Sequence, residues 1–120
     1  MHGTLRNRRN ARMVQVLTSQ TFEEKILKEK KPMIVDFWAA WCGPCRMLAP
    51  VFEELEKEFE GKIGFGKINI DENTDIASQM SISSIPCMVF FSKGKEVGRM
   101  VGMMPKSELK KQISDHLKHA

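Results

Sequence analysis

Trp41-Cys42-Gly43-Pro44-Cys45 (WCGPC) follows the apolar run Met33 to Trp38 (MIVDFW) and leads into a stretch where Leu48, Val51, Phe52, Leu55 and Phe59 recur at steps of three and four. The run is β-branched and aromatic and nearly continuous in apolar character, so it reads as a central strand covered on both faces. The recurrence that begins at Pro44 has Glu53, Glu54, Lys57 and Glu58 opposite it and Gly61 just past it. It reads as an amphipathic helix, which Pro50 is expected to kink. The two cysteines therefore stand at a strand-to-helix junction.

Upstream, Val14 to Leu17 (VQVL) is a short strand. Thr21-Phe22-Glu23-Glu24 has the capping-box pattern and opens a helix expected to bury Phe22, Ile26 and Leu27, stopped by Lys30-Lys31-Pro32. Downstream, Ile63 to Ile70 reads as a third strand. Thr74 to Gln79 reads as a short helix capped by Asn73, and Cys87 to Phe91 as a fourth strand. Lys93-Gly94 makes a hairpin turn into a fifth strand, Glu96 to Val101, and Pro105 opens a closing helix with Leu109, Ile113 and Leu117 on one face. The order β-α-β-α-β-α-β-β-α predicts an α/β fold: a central mixed five-stranded sheet flanked by four helices, parallel except for an antiparallel edge at the hairpin.

Cysteines at i and i+3 in a first helical turn project to the same side, at a separation that a modest adjustment shortens to disulfide distance. The unsatisfied N–H groups and macrodipole of the helix start favour an anion there. Cys42 is therefore expected to have a depressed pKa and to attack as thiolate, with Cys45, one turn deeper, resolving. Pro44 fits an early helical position because its missing N–H would be unpaired there in any case. The competing readings are an incidental buried pair and a zinc knuckle, the latter needing four ligands. Beyond the pair the chain offers only Cys87, His2, His116 and His119, none of them forming a second pair at zinc spacing. No metal site is expected.

Asp36 lies inside the buried strand, where an ionised carboxylate is costly, so its pKa is expected to be raised and its proton available near neutral pH. The alternative is a carboxylate satisfied by backbone N–H groups. Cys87 reads as a small buried hydrophobe, with a third redox-active thiol as the other reading. His116 and His119 read as frayed surface residues, and the nine methionines mainly as core filler, although Met103 and Met104 follow Gly102.

The chain has 120 residues, 19 of them Lys or Arg and 15 Asp or Glu, giving a formal charge of +4. Such a balance invites a nucleic-acid or acidic-membrane partner. Yet Arg6, Arg8, Arg9 and Arg12 all fall in the first twelve residues, which hold no acid, and without them 15 basic residues face 15 acidic ones. Residues 1–12 are therefore read as a basic, disordered extension and residues 13–120 as one domain, with neither nucleic acid nor membrane as partner. The start of the chain lacks the apolar stretch of a secretory signal, and three cysteines are too few for a disulfide scaffold. A reducing compartment, the cytoplasm, is expected.

Val35-Asp36-Phe37-Trp38-Ala39, WCGPC, Pro50, Lys67-Ile68-Asn69-Ile70-Asp71, Ile85-Pro86 and Gly94 stand in the order and spacing of the thioredoxin family, and the resemblance spans residues 14 to 118. It implies a thioredoxin fold and a protein-disulfide reductase that works through a reversible Cys42–Cys45 disulfide. It further implies no bound cofactor, recycling by a thioredoxin reductase, action on disulfide-containing target proteins, and a monomer. Asp36 is implied to lie behind Cys45 and exchange a proton with it, with Lys67 beside Asp36. A cis Ile85–Pro86 bond is implied to face the cysteines, and Trp41, Gly43, Pro44, Ile85, Pro86 and Gly102 to receive the substrate. Cys87 departs from the family, where threonine is usual.

Overall fold

The computed structural model describes residues 14–120; the basic stretch 1–12, and the expectation that it is disordered, lie outside them. The elements are β1 (Gln15–Val16), α1 (Ser19–Lys28), β2 (Met33–Trp38), α2 (Gly43–Glu58), β3 (Gly64–Asn69), α3 (Thr74–Gln79), β4 (Cys87–Ser92), β5 (Lys95–Val101) and α4 (Lys106–Lys118). They follow the order expected from the sequence and form one five-stranded sheet, β1-β3-β2-β4-β5.

β2 is central and its first five residues are buried, because both faces of the sheet are covered. Ile34 packs with Leu48, Phe52 and Leu55 of α2 and with Leu109 and Ile113 of α4. Val35 and Phe37 point the other way, toward Phe22 and Ile26 of α1 and Ile76 of α3. This is the alternation that a strand imposes, with an apolar layer on each side.

The sheet is mixed in one place more than the sequence suggests. β1 and β2 run parallel to β3, but β4 is antiparallel to β2 as well as to β5. β4 starts at the end of the sheet where β3 finishes, so the connection through α3 does not return along the sheet. That end is also where β2 delivers Trp38 to α2.

Other expectations shift locally. α1 starts at Ser19 with Thr18 as its N-cap, and the Thr18 N–H donates to Thr21 Oγ1 at 2.9 Å. The capping pair is thus Thr18 and Thr21, not Thr21 and Glu24, because Thr18 already leaves extended backbone there. Leu27 is 61% exposed rather than buried, since Phe22 and Ile26 define the inward stripe and Leu27 lies one position past it. α2 contains Pro50 within a single span. The Lys93-Gly94 turn has both residues at positive φ, 55° and 80°, the backbone that matches a two-residue hairpin to strand twist. α4 is clasped to α2 by Lys106 and Lys110, whose ammonium groups lie 2.6 and 2.8 Å from the Glu58 carboxylate.

His116 is not a frayed surface residue. It is half-buried, its ring centroid is 5.3 Å from that of Phe90, and a Cβ built at Gly98 would run into its imidazole. Gly98 is therefore the space into which the closing helix sets its histidine. Gly98→Ala should lower stability by about 1–2 kcal/mol, and in a His116→Ala background the cost should disappear; chemical denaturation of the four proteins of this double-mutant cycle checks the coupling.

Candidate active site

β2 ends at Trp38, and the buried Ala39 carbonyl accepts the Cys42 N–H at 3.2 Å, turning the chain at once into α2. Cys42 is the N-cap of that helix, with Gly43, Pro44 and Cys45 forming its first turn. The Cys45 N–H, which has no acceptor within the helix, donates to Cys42 Sγ at 3.2 Å. A sulfur here occupies the place that a Ser or Asp oxygen takes in an ordinary cap. Cys42 and Cys45 form a disulfide with Cα atoms 5.2 Å apart. Both side chains are nearly enclosed, Cys45 the more deeply at 2% exposed against 5%.

The Ile85–Pro86 bond is cis, as the resemblance implies, and the Ile85 carbonyl oxygen lies 4.0 Å from Cys42 Sγ. Ile85 also packs on the cysteine pair. Pro86 itself is buried, so its ring is not a surface on which a partner rests. The Gly102 N–H donates to the Pro86 carbonyl at 2.8 Å, and Gly102 has φ +91°, a conformation that favours glycine. Trp41, Gly43, Pro44, Ile85 and Gly102 all reach solvent, Trp41 most of all at 68% exposed. The Trp41 indole N–H donates to Asp71 Oδ2 at 2.8 Å. Nothing in the sequence singles out Asp71 for this contact, which only the fold brings about.

Asp36 is 4% exposed and its Oδ1 makes no hydrogen bond, which rules out a carboxylate fully satisfied by the backbone. Burial pushes its pKa up to about 7, against the opposing pull of Lys67, its register neighbour on β3. The Lys67 ammonium lies 5.6 Å from the centroid of the Trp38 ring. A cavity of about 170 Å³ is lined by both Asp36 and Cys45, together with Trp38, Lys67, Arg46 and Glu53. Glu53 carries no sequence signal beyond its place on the polar side of α2, and Arg46 carries none. The Arg46 guanidinium also donates to the Ala40 carbonyl at 2.8 Å, tying the helix start to the junction.

Cys87 is 2% exposed and packs among the residues of the α1 and α3 side of the sheet, while Asp36 borders the cavity on the α2 side. Burial raises its thiol pKa, as suits a small core residue. Among the described residues, no group of three or more His, Cys, Asp or Glu side chains is arranged to hold a metal ion.

The thioredoxin family model matches residues 13–115. Thioredoxin 2 of Chlorobaculum tepidum is 49% identical over 100 residues, covering 83% of this chain and 92% of its own. Thioredoxin 1 of Nostoc sp. is 46% identical over 101 residues, 84% of this chain and 94% of its own. Thioredoxin M-type, chloroplastic, of Pisum sativum is 39% identical over 116 residues, 97% of this chain and 67% of its own.

The buried Asp36 has a consequence for stability. A carboxyl whose folded pKa is raised from 3.8 to about 7 stays protonated in the native state while the unfolded chain ionises. Stability relative to acid pH is thus lost progressively from pH 4 to 7 and then stays constant. Asp36→Asn should stabilise the protein at pH 8 by about 2–4 kcal/mol and by much less at pH 4; urea unfolding at the two pH values measures the difference.

Proposed function

The chain belongs to the thioredoxin family, and from that premise we propose how its residues divide the work. It is a thiol–disulfide oxidoreductase with the mixed five-stranded sheet and four helices of that family. Thioredoxins as a family need no cofactor and work with thioredoxin reductase and disulfide-bearing targets. In our reading this chain reduces protein disulfides, and the observation that carries the reading is the Cys45 N–H donating to Cys42 Sγ at the start of α2.

In the reduced protein the Cys42 thiolate is stabilised by that N–H and by the helix dipole, and it attacks one sulfur of a target disulfide. The Cys42–target disulfide forms, the target S–S bond breaks, and the departing target sulfur leaves as thiolate. Cys45 then loses its proton to the Asp36 carboxylate, across the cavity they share, and attacks Cys42 Sγ. The Cys42–Cys45 disulfide closes and the second target sulfur leaves. Two electrons have passed to the target, and a thioredoxin reductase returns two to the pair. Lys67 is assigned to Asp36 as the cation that limits how far burial raises its pKa. Trp41, Gly43, Pro44, Ile85, Pro86 and Gly102 are assigned to substrate binding: the solvent-reaching residues by contact, and buried Pro86 through the backbone on either side of it. An extended target segment would pair with the Ile85 backbone in the manner of an added strand.

We further propose that residues 13–120 are the working domain, acting as a monomer in a reducing compartment, the cytoplasm, without nucleic acid or membrane as partner. Among the described residues no helix is long and apolar enough to cross a membrane. The curated relatives include thioredoxins of Nostoc sp. and Chlorobaculum tepidum and two M-type ones named as chloroplastic.

Cys42→Ser should abolish reduction of a protein disulfide, and Cys45→Ser should accumulate the mixed disulfide with the target, seen as a mass adduct that dithiothreitol removes. The reading is falsified if Cys42→Ser retains activity. Because Asp36 accepts a proton only when ionised, the rate of mixed-disulfide resolution should rise with pH through about 7. In Asp36→Asn that inflection should vanish and the rate fall by about 100-fold; stopped-flow measurement across pH 5.5–8.5 tests both. Deleting residues 1–12 should leave turnover unchanged.

A further inference from the structure

Gly102 sits one hydrogen bond from Pro86, and the next two residues are methionines that the fold treats in opposite ways. Met104 turns inward, packs against the α2–α4 core, and its sulfur accepts from Gln112 Nε2 at 3.5 Å. Met103 turns outward and is 36% exposed. It is an unbranched apolar side chain directly after Gly102, which is bonded to the Pro86 carbonyl beside Ile85, and it stands two residues past Val101, itself 53% exposed. Met33, Met88 and Met100, by contrast, are at most 2% exposed. The protein thus exposes one thioether next to Gly102 while packing its neighbour against the core.

We propose that Met103 is a reversible oxidation site that sets how well the reductase docks protein targets. The proposal rests on the disulfide-reductase reading above. A flexible thioether adapts to targets of different shape, as methionines do on promiscuous surfaces. A peroxide supplies the oxidant: its O–O bond breaks, an S–O bond forms on the Met103 sulfur, the sulfur loses two electrons, and the peroxide is reduced to water. The product is a polar sulfoxide in place of an apolar thioether. The reverse step takes two electrons from a dithiol through a methionine sulfoxide reductase, yielding the thioether, a disulfide and water. Nothing in this step touches Cys42 or Cys45, so the electron-transfer chemistry persists while docking of bulky targets weakens.

The test starts from the protein in its Cys42–Cys45 disulfide form, which shows hydrogen peroxide no thiolate of the active pair. After treatment, peptide mapping by mass reports sulfoxide at each methionine. The protein is then reduced, and kcat/KM is measured on a disulfide-bonded protein and on a small aromatic disulfide. Oxidation at Met103 should lower kcat/KM for the protein substrate by about tenfold, the ratio that ~1.4 kcal/mol of lost contact produces, with the small disulfide reduced as before. In Met103→Leu the ratio of treated to untreated kcat/KM on the protein substrate should stay near one, and untreated Met103→Gln should resemble the oxidised wild type. Met47→Leu, which removes the other well-exposed methionine among the described residues, at 66%, should lose as much as wild type. Equal loss in Met103→Leu and wild type, or full protein-reducing activity with Met103 converted to sulfoxide, would overturn the proposal and leave the reductase reading standing. Failure of the untreated protein to reduce either disulfide would overturn both.

Discussion

One hydrogen bond organises this molecule: the backbone N–H of Cys45 donating to the sulfur of Cys42 at the first turn of α2. A helix start leaves amide groups without intrahelical acceptors, and most helices satisfy them with a side-chain oxygen. Here the acceptor is sulfur, a weak one when bonded in a disulfide and a strong one as thiolate. The same donor therefore interacts more favourably with the reduced, ionised state than with the oxidised one, and the helix dipole acts in the same direction. For this to hold, α2 must begin directly at the end of β2, which the Cys42 N–H bond to Ala39 enforces. The position of the helix is in turn fixed by Leu48, Phe52 and Leu55 beneath it.

The other parts of the site reach the same end of the sheet through strand direction and register. β4 runs antiparallel to β2 and begins beside its end, pairing Cys87 with Phe37. That reversal brings Ile85 against the cysteine pair and lets β5 deliver Gly102 to the Pro86 carbonyl. Asp36 is the costly element. It sits within the most enclosed strand with Oδ1 unpartnered, and the low polarity that raises its pKa also works against folding above neutral pH. A small cavity beside it, shared with Cys45, is consistent with a group held for proton transfer rather than for packing.

Much of this was legible in the sequence because local chemistry and tertiary placement agree. MIVDFW has no polar alternation, so a strand buried on both faces was the natural reading; WCGPC follows it at the only position where a helix start would meet its end. What the sequence did not carry were outcomes that depend on two distant segments. The antiparallel run of β4 against β2 depends on where the connection through α3 ends, which no local pattern in either strand encodes. Thr18 rather than Thr21 caps α1 because the backbone turns earlier than the Thr-x-x-Glu pattern suggested. Leu27 is one step off the inward stripe, and His116 finds its place only because Gly98, eighteen residues earlier on another element, has no side chain. Arg46, Glu53 and Asp71 enter the site by geometry alone: each is an ordinary polar residue until the fold sets it beside the cavity or the indole.

The distribution of charge bears on what kind of surface the site presents. The +4 of the whole chain comes from four arginines in the first twelve residues, and the remaining residues are balanced. The solvent-reaching residues assigned to substrate binding, Trp41, Gly43, Pro44, Ile85 and Gly102, carry no formal charge; Arg46 and Glu53 lie to one side, at the cavity shared with Cys45, and Asp71 is engaged by the Trp41 indole. Such a face selects neither acidic nor basic partners strongly, because discrimination between charged partners comes from complementary potentials and from unpaired charge set against the wrong one. What it offers instead is apolar contact and backbone at Ile85, both of which any extended segment supplies. Specificity on such a surface has to come from shape, and the large exposed side chain beside the cysteines is the Trp41 indole, hydrogen-bonded to Asp71. Apolar contact at the indole and backbone pairing at Ile85 suit a reductase that meets its disulfides through one fixed pair of sulfurs.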